Sequence, residues 1–425
     1  MSAPTLSPYR SRPSATRTRP AARPRERAIV VPARLEVGDN PASAVFRVAR
    51  SRGPIGRDVA AEATGLSVAT VGRQVSALLD LGLLRERADL TPSGTVGRPR
   101  IPFDVDHETF LTVGIHIGAV ATSVVASDLR GRILGAIEIV TPESGPDGAD
   151  ALRSIASSAK AFVARWHRRR PLWVGVAIGG RVDQAHGVVD HARLGWTGAQ
   201  VGPIIGAGLG LPVSVAAHVE AMAAAELLLA PDRAEHDATG ETEMYFYARE
   251  TAGVSLAIDG RVHTPAGGPG SIAHFPTGSS VQCACGATGC LEATVSDRAI
   301  VAAAVSRGVV DGSGRVTVAD VVAAASNGSE AAQEVLTARA RALGRTVATL
   351  RELLNPDRVI LGGQAFTEYQ PGLAHVAAAI GERSRFGSKD IRVSGFGNRV
   401  QQHASAVTSL GVLFADPVKA FAQIP

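Results

Sequence analysis

The sequence predicts an α/β protein in which a small helical module precedes a large domain built from a repeated α/β unit. Three observations lead to this fold class. Short helical patterns separated by glycine turns occupy residues 40–79. Beyond residue 106, strand hairpins followed by helical patterns occur twice, which is typical of a duplicated α/β domain. All three cysteines fall within residues 283–290, beside glycines, which indicates a dedicated site.

The amino-terminal segment is strongly basic. Residues 1–33 carry seven Arg and one Glu, a net charge of +6, whereas the whole chain carries +5. The segment lacks the apolar run of a secretory signal, and its frequent prolines would break the amphipathic helix of a transit peptide. We expect residues 1–36 to form a disordered basic arm that adds non-specific affinity for DNA, with an inert tail as the alternative.

Residues 37–105 are expected to form one module of three helices and a wing. The first helix starts near Asn40, the second spans 57–64, and the third spans 68–79 after a Gly65 turn and a Ser67 cap. Helix, glycine turn, capping Ser and helix make the helix-turn-helix pattern. The residues expected to face inward on the first two helices are Val45, Phe46, Val48, Ala49, Val59, Ala60 and Ala63.

Several polar residues of this module suit the grooves of double-stranded DNA. The exposed start of the third helix carries Ser67, Thr70, Arg73 and Gln74; Arg suits guanine and Gln suits adenine in the major groove. Residues 95–100 suggest a wing-like hairpin, in which Arg98 could enter a narrow minor groove. The pattern predicts a winged helix-turn-helix; a three-helix domain that docks on protein is the alternative, which the positive charge disfavours.

The cysteine run predicts a metal site. Cys283, Cys285 and Cys290, with His274 nine residues upstream, supply three thiolates and one imidazole, a complete tetrahedral set for Zn²⁺. Such a closed set is structural, because no position remains for a water molecule. Three buried, unliganded thiols are the alternative, and the odd number and tight spacing argue against disulfides.

Residues 40–415 resemble the ROK family of repressors, open reading frames and sugar kinases. The zinc stretch carries most of the resemblance: Gly-Gly-Pro-Gly-Ser-Ile-Ala-His at 267–274 and Cys-Ala-Cys-Gly-Ala-Thr-Gly-Cys-Leu-Glu at 283–292. Supporting matches are Gly187, Gly195, Trp196, Asp259, Gly260, Asn355, Pro356 and residues 361–363. The resemblance implies an actin/hexokinase-like (ribonuclease H-like) ATPase-type domain over residues 106–425, with its zinc motif at 274–290. The helix-turn-helix resembles the family's repressor branch.

The chain departs from the family's kinases at several functional positions. His116 stands where the first phosphate loop has Asp, and Ala217 and His218 stand where an Asn-Asp pair supplies the catalytic base. Residues 249–253 replace a glycine-rich second phosphate loop, and Ser271 replaces a sugar-binding Glu. Because phosphoryl transfer depends on positioned charges, these departures predict that the chain is not an enzyme. A sugar kinase with a relocated base, Asp183 or Asp190 being the nearest spare acids, is the alternative.

What remains of the family's sugar pocket suggests an effector site. The resemblance implies that Glu292 and zinc-bound His274 lie beside a sugar, and His218 could favour an acidic or phosphorylated ligand. A vestigial cleft, in which His218 only packs and DNA binding is constitutive, stays open.

The leading hypothesis is a DNA-binding transcriptional repressor that senses a sugar, a sugar phosphate or another small molecule. Half-site logic and the resemblance favour a homodimer or homotetramer. No apolar run is long enough to span a bilayer, so we expect a bacterial cytoplasmic protein with no membrane partner, on the nucleoid when bound to DNA.

Overall fold

The computed structural model describes residues 28–90, 101–230, 240–265, 268, 270–383 and 390–424. The amino-terminal module contains three helices and two short strands. Their bounds are α1 Pro41–Arg52, α2 Arg57–Thr64, α3 Val68–Asp80, β1 Leu84–Glu86 and β2 Phe103–Val105. Strands β1 and β2 pair antiparallel, with Leu84 opposite Val105. The three predicted helices are therefore present, and each differs from its predicted bounds by one residue at most.

The predicted inward face of α2 is partly wrong. Val59 is 43% exposed and Ala63 is exposed, whereas Ala60 and Ala61 are buried. The side of α2 that faces its neighbours passes through Ala60 and Ala61, which leaves Val59 and Ala63 on the flanks. The inward residues predicted for α1 are buried as expected.

Residues 28–36 correct the predicted extent of the disordered arm. Val30 forms a parallel bridge with Val213, Glu36 forms an antiparallel bridge with Arg261, and Leu35 is only 4% exposed. This segment is apolar enough to pack on the large domain, so an arm reaching to residue 36 is wrong for its last nine residues. Residues 1–27 lie outside the described residues.

The first lobe of the large domain is built on a twisted sheet with the strand order β10-β6-β3-β4-β5 among the described residues. Strands β3, β4 and β5 are antiparallel neighbours, while β3, β6 and β10 run parallel. A small sheet β7-β8-β9 follows β6 in the chain. The bounds are β3 Phe110–Ile117, β4 Ala121–Ser127, β5 Ile133–Val140, α4 Ala149–Val163, β6 Arg170–Ile178, β7 Arg181–Asp183, β8 Val188–His191, β9 Trp196–Ala199, α5 Val201–Leu209, β10 Val213–Ala217 and α6 His218–Leu229.

The second lobe repeats this sheet in the order β13-β12-β11-β14-β15. Its first three strands are antiparallel, and β11, β14 and β15 are parallel. The same alternation in both lobes is the duplication that the sequence predicted. The bounds are β11 Thr242–Ala248, β12 Ala252–Ile258, β13 Arg261–Val262, α7 Leu291–Val295, α8 Asp297–Ser306, α9 Val318–Ser326, α10 Glu330–Leu354, β14 Arg358–Gly362, α11 Gln364–Thr367, α12 Gln370–Gly381, β15 Ile391–Val393, α13 Val400–Ala415 and α14 Pro417–Phe421.

Helices α6 and α13 fill the layer between the two sheets. Two glycines let α13 lie directly on the first sheet. A Cβ on Gly114 would stand 2.7 Å from the carbonyl carbon of Ser405, and one on Gly175 would stand 2.1 Å from the amide nitrogen of Ser409. Side chains there would push the helix away, so these glycines fix the distance between helix and sheet. None of the described helices is long and apolar enough to cross a bilayer.

Candidate functional site

The exposed face of α3 carries a chain of side-chain hydrogen bonds. Gly65 ends α2 with a positive φ of 67°, and Ser67 caps α3 by accepting a bond from the Thr70 amide at 3.2 Å. The Ser67 hydroxyl donates to Thr70 Oγ1 at 3.0 Å, and Arg73 Nη2 donates to the same oxygen at 3.1 Å. Gln74 is half-buried beside them. Hydrogen bonds therefore join three of the four predicted residues, Ser67, Thr70 and Arg73.

The predicted wing is only partly described. Strands β1 and β2 form its base, and the ion pair between Arg57 and Glu86, at 3.4 Å, ties α2 to that base. Residues 91–100, and with them Arg98, lie outside the described residues. The contact of Arg98 with DNA stays a prediction.

The helix-turn-helix module docks on the large domain through α1. Arg50 Nη2 donates to the Leu228 carbonyl near the end of α6 at 2.7 Å, and its guanidinium carbon lies 3.8 Å from the centre of the Phe414 ring. Burial lowers the pKa of Arg50 to about 10, and the charge of Arg47 adds to this effect. At the other side of the module, buried Asp104 of β2 pairs with Arg130 of the first lobe. Charged contacts thus fix the module to both α6 and the first lobe.

Four side chains come together as a candidate metal centre. The ligand atoms of His274, Cys283, Cys285 and Cys290 all lie within 4.8 Å of one another. Cys285 Sγ stands 3.7 Å from Cys290 Sγ, and Cys283 Sγ stands 3.7 Å from His274 Nδ1. A tetrahedral ion with metal–sulfur bonds of about 2.3 Å holds its sulfurs about 3.8 Å apart. The donor set and its spacing therefore fit such an ion.

Local backbone geometry explains how the short run converges. Gly286 and Gly289 have φ values of 92° and 73°, which favour glycine, and the Cys283 amide donates to the Ala287 carbonyl at 2.9 Å. The Ala287 backbone N–H lowers the pKa of the Cys285 thiol to about 7, whereas burial raises the pKa of the Cys290 thiol to about 12.

The segment that carries the four candidate metal ligands, residues 274–290, is called the metal loop here. It leads directly into α7, which carries Glu292. The Glu292 amide donates to the Ala273 carbonyl at 2.9 Å, so the turn at Ala273 and His274 is joined to the start of α7. Burial raises the pKa of Glu292, which is half-buried, while the charge of Arg193 opposes that rise. Ser271 is exposed, and its hydroxyl accepts from the Ala273 amide at 3.3 Å.

The carboxyl ends of the parallel strands β3, β6 and β10 meet the start of α6, which is where open α/β sheets bind ligands and where the effector cleft is expected. The rings of His116 and His218 lie nearly parallel, with centroids 6.0 Å apart and an interplanar angle of 11°. Tyr247 packs edge-on against His218 at 5.8 Å. The structure therefore brings together His116 and His218, two of the positions at which the chain departs from the kinases.

The histidines of the cleft are neutral at pH 7. Burial lowers the pKa of His116 to about 3, with smaller effects from His218 and Arg249. Burial also lowers the pKa of His218 to about 4, and His191 adds to this effect. Neither ring is therefore a strong base.

Sequence reasoning missed three residues of this region, Glu220, His191 and Arg193, and gave no role to Arg249 within residues 249–253. Arg193 Nη2 lies 3.8 Å from Glu250 Oε2, an ion pair that joins the two lobes. Arg249 Nη1 donates to Gln401 at 3.3 Å. In the sequence, His191 and Arg193 stand out only because they lie just before Gly195 and Trp196, which support the family resemblance. No spacing rule identifies them as site residues.

Comparison with known proteins gives the family. The ROK family model matches residues 112–385, more than half of the chain. The chain belongs to the ROK family. It is 52% identical over 399 residues to a transcriptional regulator of Mycobacterium tuberculosis (strain ATCC 25618 / H37Rv), covering 92% of this chain and 90% of that protein. It is 24% identical over 337 residues to the DNA-binding transcriptional dual regulator NagC of Escherichia coli (strain K12), covering 76% and 80%.

Solved structures confirm the predicted fold class. A ROK family transcriptional regulator, a homologue of the E. coli MLC protein, superposes with a TM-score of 0.74 at 22% identity, covering 90% of this chain and 98% of that one. The ROK hexokinase from Thermus thermophilus gives 0.57 at 22% identity, covering 71% and 98%. The large domain is thus of the fold that the ROK sugar kinases share.

Proposed function

We propose that this chain is a DNA-binding transcriptional regulator, a repressor, whose large domain binds an effector and does not phosphorylate a sugar. One observation carries the proposal: the helix-turn-helix module is joined to a ROK domain by specific contacts, and α3 presents Ser67, Thr70 and Arg73 on one exposed surface. The similarity to proteins named transcriptional regulators supports it. Such a regulator works where the DNA is, so we expect it in the cytoplasm, on the nucleoid when bound.

The residues at the positions of the kinase catalytic groups argue against kinase activity. A kinase needs a carboxylate base near the sugar hydroxyl and a cradle of backbone N–H groups for phosphate. Here His116 and His218 lie at the expected carboxylate positions, and both rings are neutral because of burial. Arg249 and Glu250 stand in place of the glycines of the second phosphate loop. The spare acids Asp183 and Asp190 are already engaged with His186 and Arg181.

The cysteine cluster is proposed to hold a structural Zn²⁺. His274, Cys283, Cys285 and Cys290 would supply all four ligands, which leaves no site for catalytic water. When bound, the ion would brace the loop that leads into α7 and would keep Glu292 at the cleft.

The proposal also includes the residues that contact the effector and the oligomeric state of the protein. His218 and Glu292 would contact a sugar, a sugar phosphate or another small molecule, with zinc-bound His274 beside them. A homodimer or homotetramer would place two recognition helices on paired half-sites. The effector would act through its different affinity for two arrangements of these modules.

Genome-wide DNA occupancy of the tagged protein in its own cells tests this function. Discrete enriched sites are expected for the native chain, and they should vanish when Arg73, Gln74 and Arg98 are replaced together by Ala. Occupancy that the triple variant retains would refute the helix-turn-helix assignment. Turnover of ATP with a hexose or amino sugar by the folded protein would instead establish the kinase alternative.

A further inference from the structure

A cavity lies between the second sheet and the helices α6 and α13, apart from the expected effector cleft. Its volume is about 470 Å³, within the range of small-molecule sites. Glu226 and Ala230 at the end of α6 line it, together with residues of β14, of β15 and of the segment that leads into α13. Glu226 lies eight residues beyond His218, about 12 Å further along α6. The cavity is therefore a second concave site in the large domain.

Much of the lining is apolar. Ile360 of β14, Val393 of β15 and Ala230 contribute aliphatic side chains, and Val393 is 37% exposed. The rings of Phe396 and His403 stack with their centroids 4.2 Å apart and an interplanar angle of 29°. Burial lowers the pKa of His403 below its ordinary 6.5, so this ring is neutral at pH 7. These walls suit the apolar body of a ligand.

The charged residues of the lining are three arginines and one glutamate. Arg358 and Arg392 each donate from Nε to the Asp390 carboxylate at 2.6 Å. Arg399 is exposed, and its guanidinium has no hydrogen bond or ion pair within the described part of the chain. It also directly precedes α13, and the start of a helix favours negative charge. Arg399 is therefore the cation available to an anionic ligand.

Glu226 limits the charge that such a ligand can carry. It is 5% exposed and accepts a hydrogen bond from the Ser394 hydroxyl. A buried carboxylate repels a second negative charge nearby, so the anionic group of a ligand belongs at Arg399, away from Glu226. A single carboxylate meets this condition, because it carries one charge and can accept two parallel hydrogen bonds from one guanidinium.

We propose that this cavity binds a small organic acid, with one carboxylate at Arg399 and an apolar body against Ile360 and Phe396. The site is separate from the effector cleft, and the proposal does not rest on the proposed function. Its position links it to the helix-turn-helix module, because Ala230 lies two residues beyond Leu228, whose carbonyl accepts the hydrogen bond from Arg50 at 2.7 Å. A bound acid would contact the end of α6 that holds α1.

Calorimetry and thermal unfolding of the full chain at fixed ionic strength test the proposal. The probes are octanoate and benzoate, with octanamide and benzamide as uncharged counterparts of the same shape. At least one of the two acids should bind and raise the thermal midpoint. Its amide should bind at least about tenfold more weakly, because it lacks the charge-assisted hydrogen bonds to Arg399. Equal binding of acid and amide, or no binding of either acid, would overturn the inference.

Variants assign the binding to the cavity. Arg399→Gln should weaken it at least about tenfold. The control Arg341→Gln, at an exposed arginine of α10 on the opposite face of the second sheet, should leave it unchanged. Gly395 also lines the cavity, and a Cβ there would meet no atom within 4 Å, so Gly395→Leu should fold and block the site. Gly145 is equally open, and Gly145→Leu should bind the acid normally.

Two results would overturn the assignment: native affinity in Arg399→Gln, or native affinity in Gly395→Leu. Because Gly395→Leu adds a side chain where the backbone and the surroundings tolerate one, it decides the location even if Arg399→Gln unfolds. Specific DNA binding, measured on the native chain without any acid, fails or holds independently and reports on the proposed function alone.

Discussion

Arg73 is proposed to contact DNA, and a hydrogen bond within α3 holds its guanidinium. Its guanidinium donates to Thr70 Oγ1, and Thr70 in turn is held by the capping residue Ser67. A side chain held along the helix face loses less conformational freedom when it contacts a base. The cap Ser67 and Arg73, the residue proposed to contact a base, are therefore linked at the start of α3.

Arg73→Ala should weaken binding to the strongest genomic site by about 1 to 3 kcal/mol, or roughly 5- to 150-fold, and relax the preference at one base pair. Titration of labelled DNA at fixed salt measures the change. The matched control is Arg153→Ala on α4, whose side chain is 65% exposed and lies outside the module. Equal losses in the two variants would indicate a general charge effect and contradict base reading by Arg73.

Glu220 is a buried acid outside the metal site. It is 2% exposed, and burial raises its pKa to about 7 from an ordinary 4.5, with Gln184 opposing the rise. The folded state therefore holds this proton more tightly than the unfolded state does. Folding loses stability as the pH rises from 4.5 to 7, by about 3 kcal/mol for a shift of this size.

Glu220→Gln keeps a hydrogen-bonding partner for Gln184 and removes the titration. Relative to the native chain, the variant should gain about 3 kcal/mol of unfolding free energy between pH 5 and pH 8. Urea unfolding at several pH values measures the difference. The exposed carboxyl of Glu334 provides the control, Glu334→Gln, which should show no such gain. A pH-independent difference for Glu220→Gln would refute a raised pKa.

At the scale of elements, the metal loop and α7 form one unit. The loop has little apolar core of its own, since three of its four candidate ligands are at least partly exposed. A bound ion would therefore order this loop and would brace the start of α7, where Glu292 lies.

Cys285→Ser should lower zinc affinity more than about 100-fold, since a direct ligand matters at least as much as an outer one, and should lower the thermal midpoint. Metal content per chain and thermal unfolding report the two effects. Ala284→Ser changes the exposed neighbouring residue and should retain the metal. Native protein that contains no zinc after growth in metal-replete medium would contradict the site.

Helix α6 joins the cleft to the DNA-binding module. It begins at His218 and, about 18 Å further along, ends beside the Leu228 carbonyl that accepts the bond from Arg50. A ligand that moves His218 therefore acts on the element that carries the docking contact. This gives the proposed effector a physical connection to the position of α1.

Local chemistry made several elements predictable. Ser67 marked the start of α3 and Gly65 the end of α2, because caps and turns act over short sequence distances. The cysteine run with His274 likewise marked the candidate metal centre. The convergence of His116, His191 and His218 could not be predicted, since it depends on how distant strands align. The packing of residues 28–36 was missed because charge dominated the composition of the preceding residues.

At the scale of the whole molecule, the chain combines a duplicated α/β domain with a helix-turn-helix module that packs on it. The large domain contains the expected effector cleft and the metal loop. Helices α6 and α13 lie between the two sheets, and the module rests on the ends of both, through Arg50 with Leu228 and Asn40 with the Ala415 carbonyl. A change in the angle between the lobes would therefore change the position of the module. Across a dimer, that change would alter the spacing of two recognition helices.

A footprint of the purified protein on its most strongly occupied genomic site tests the central claim most directly. The account predicts two protected half-sites related by a two-fold axis, with centres about 34 Å, or a multiple of one helical turn, apart. Protection should disappear in the variant that lacks Arg73, Gln74 and Arg98. Absence of any protected site in the native protein, or protection that survives the triple replacement, would contradict the account of this chain as a regulator that reads DNA through α3 and its wing.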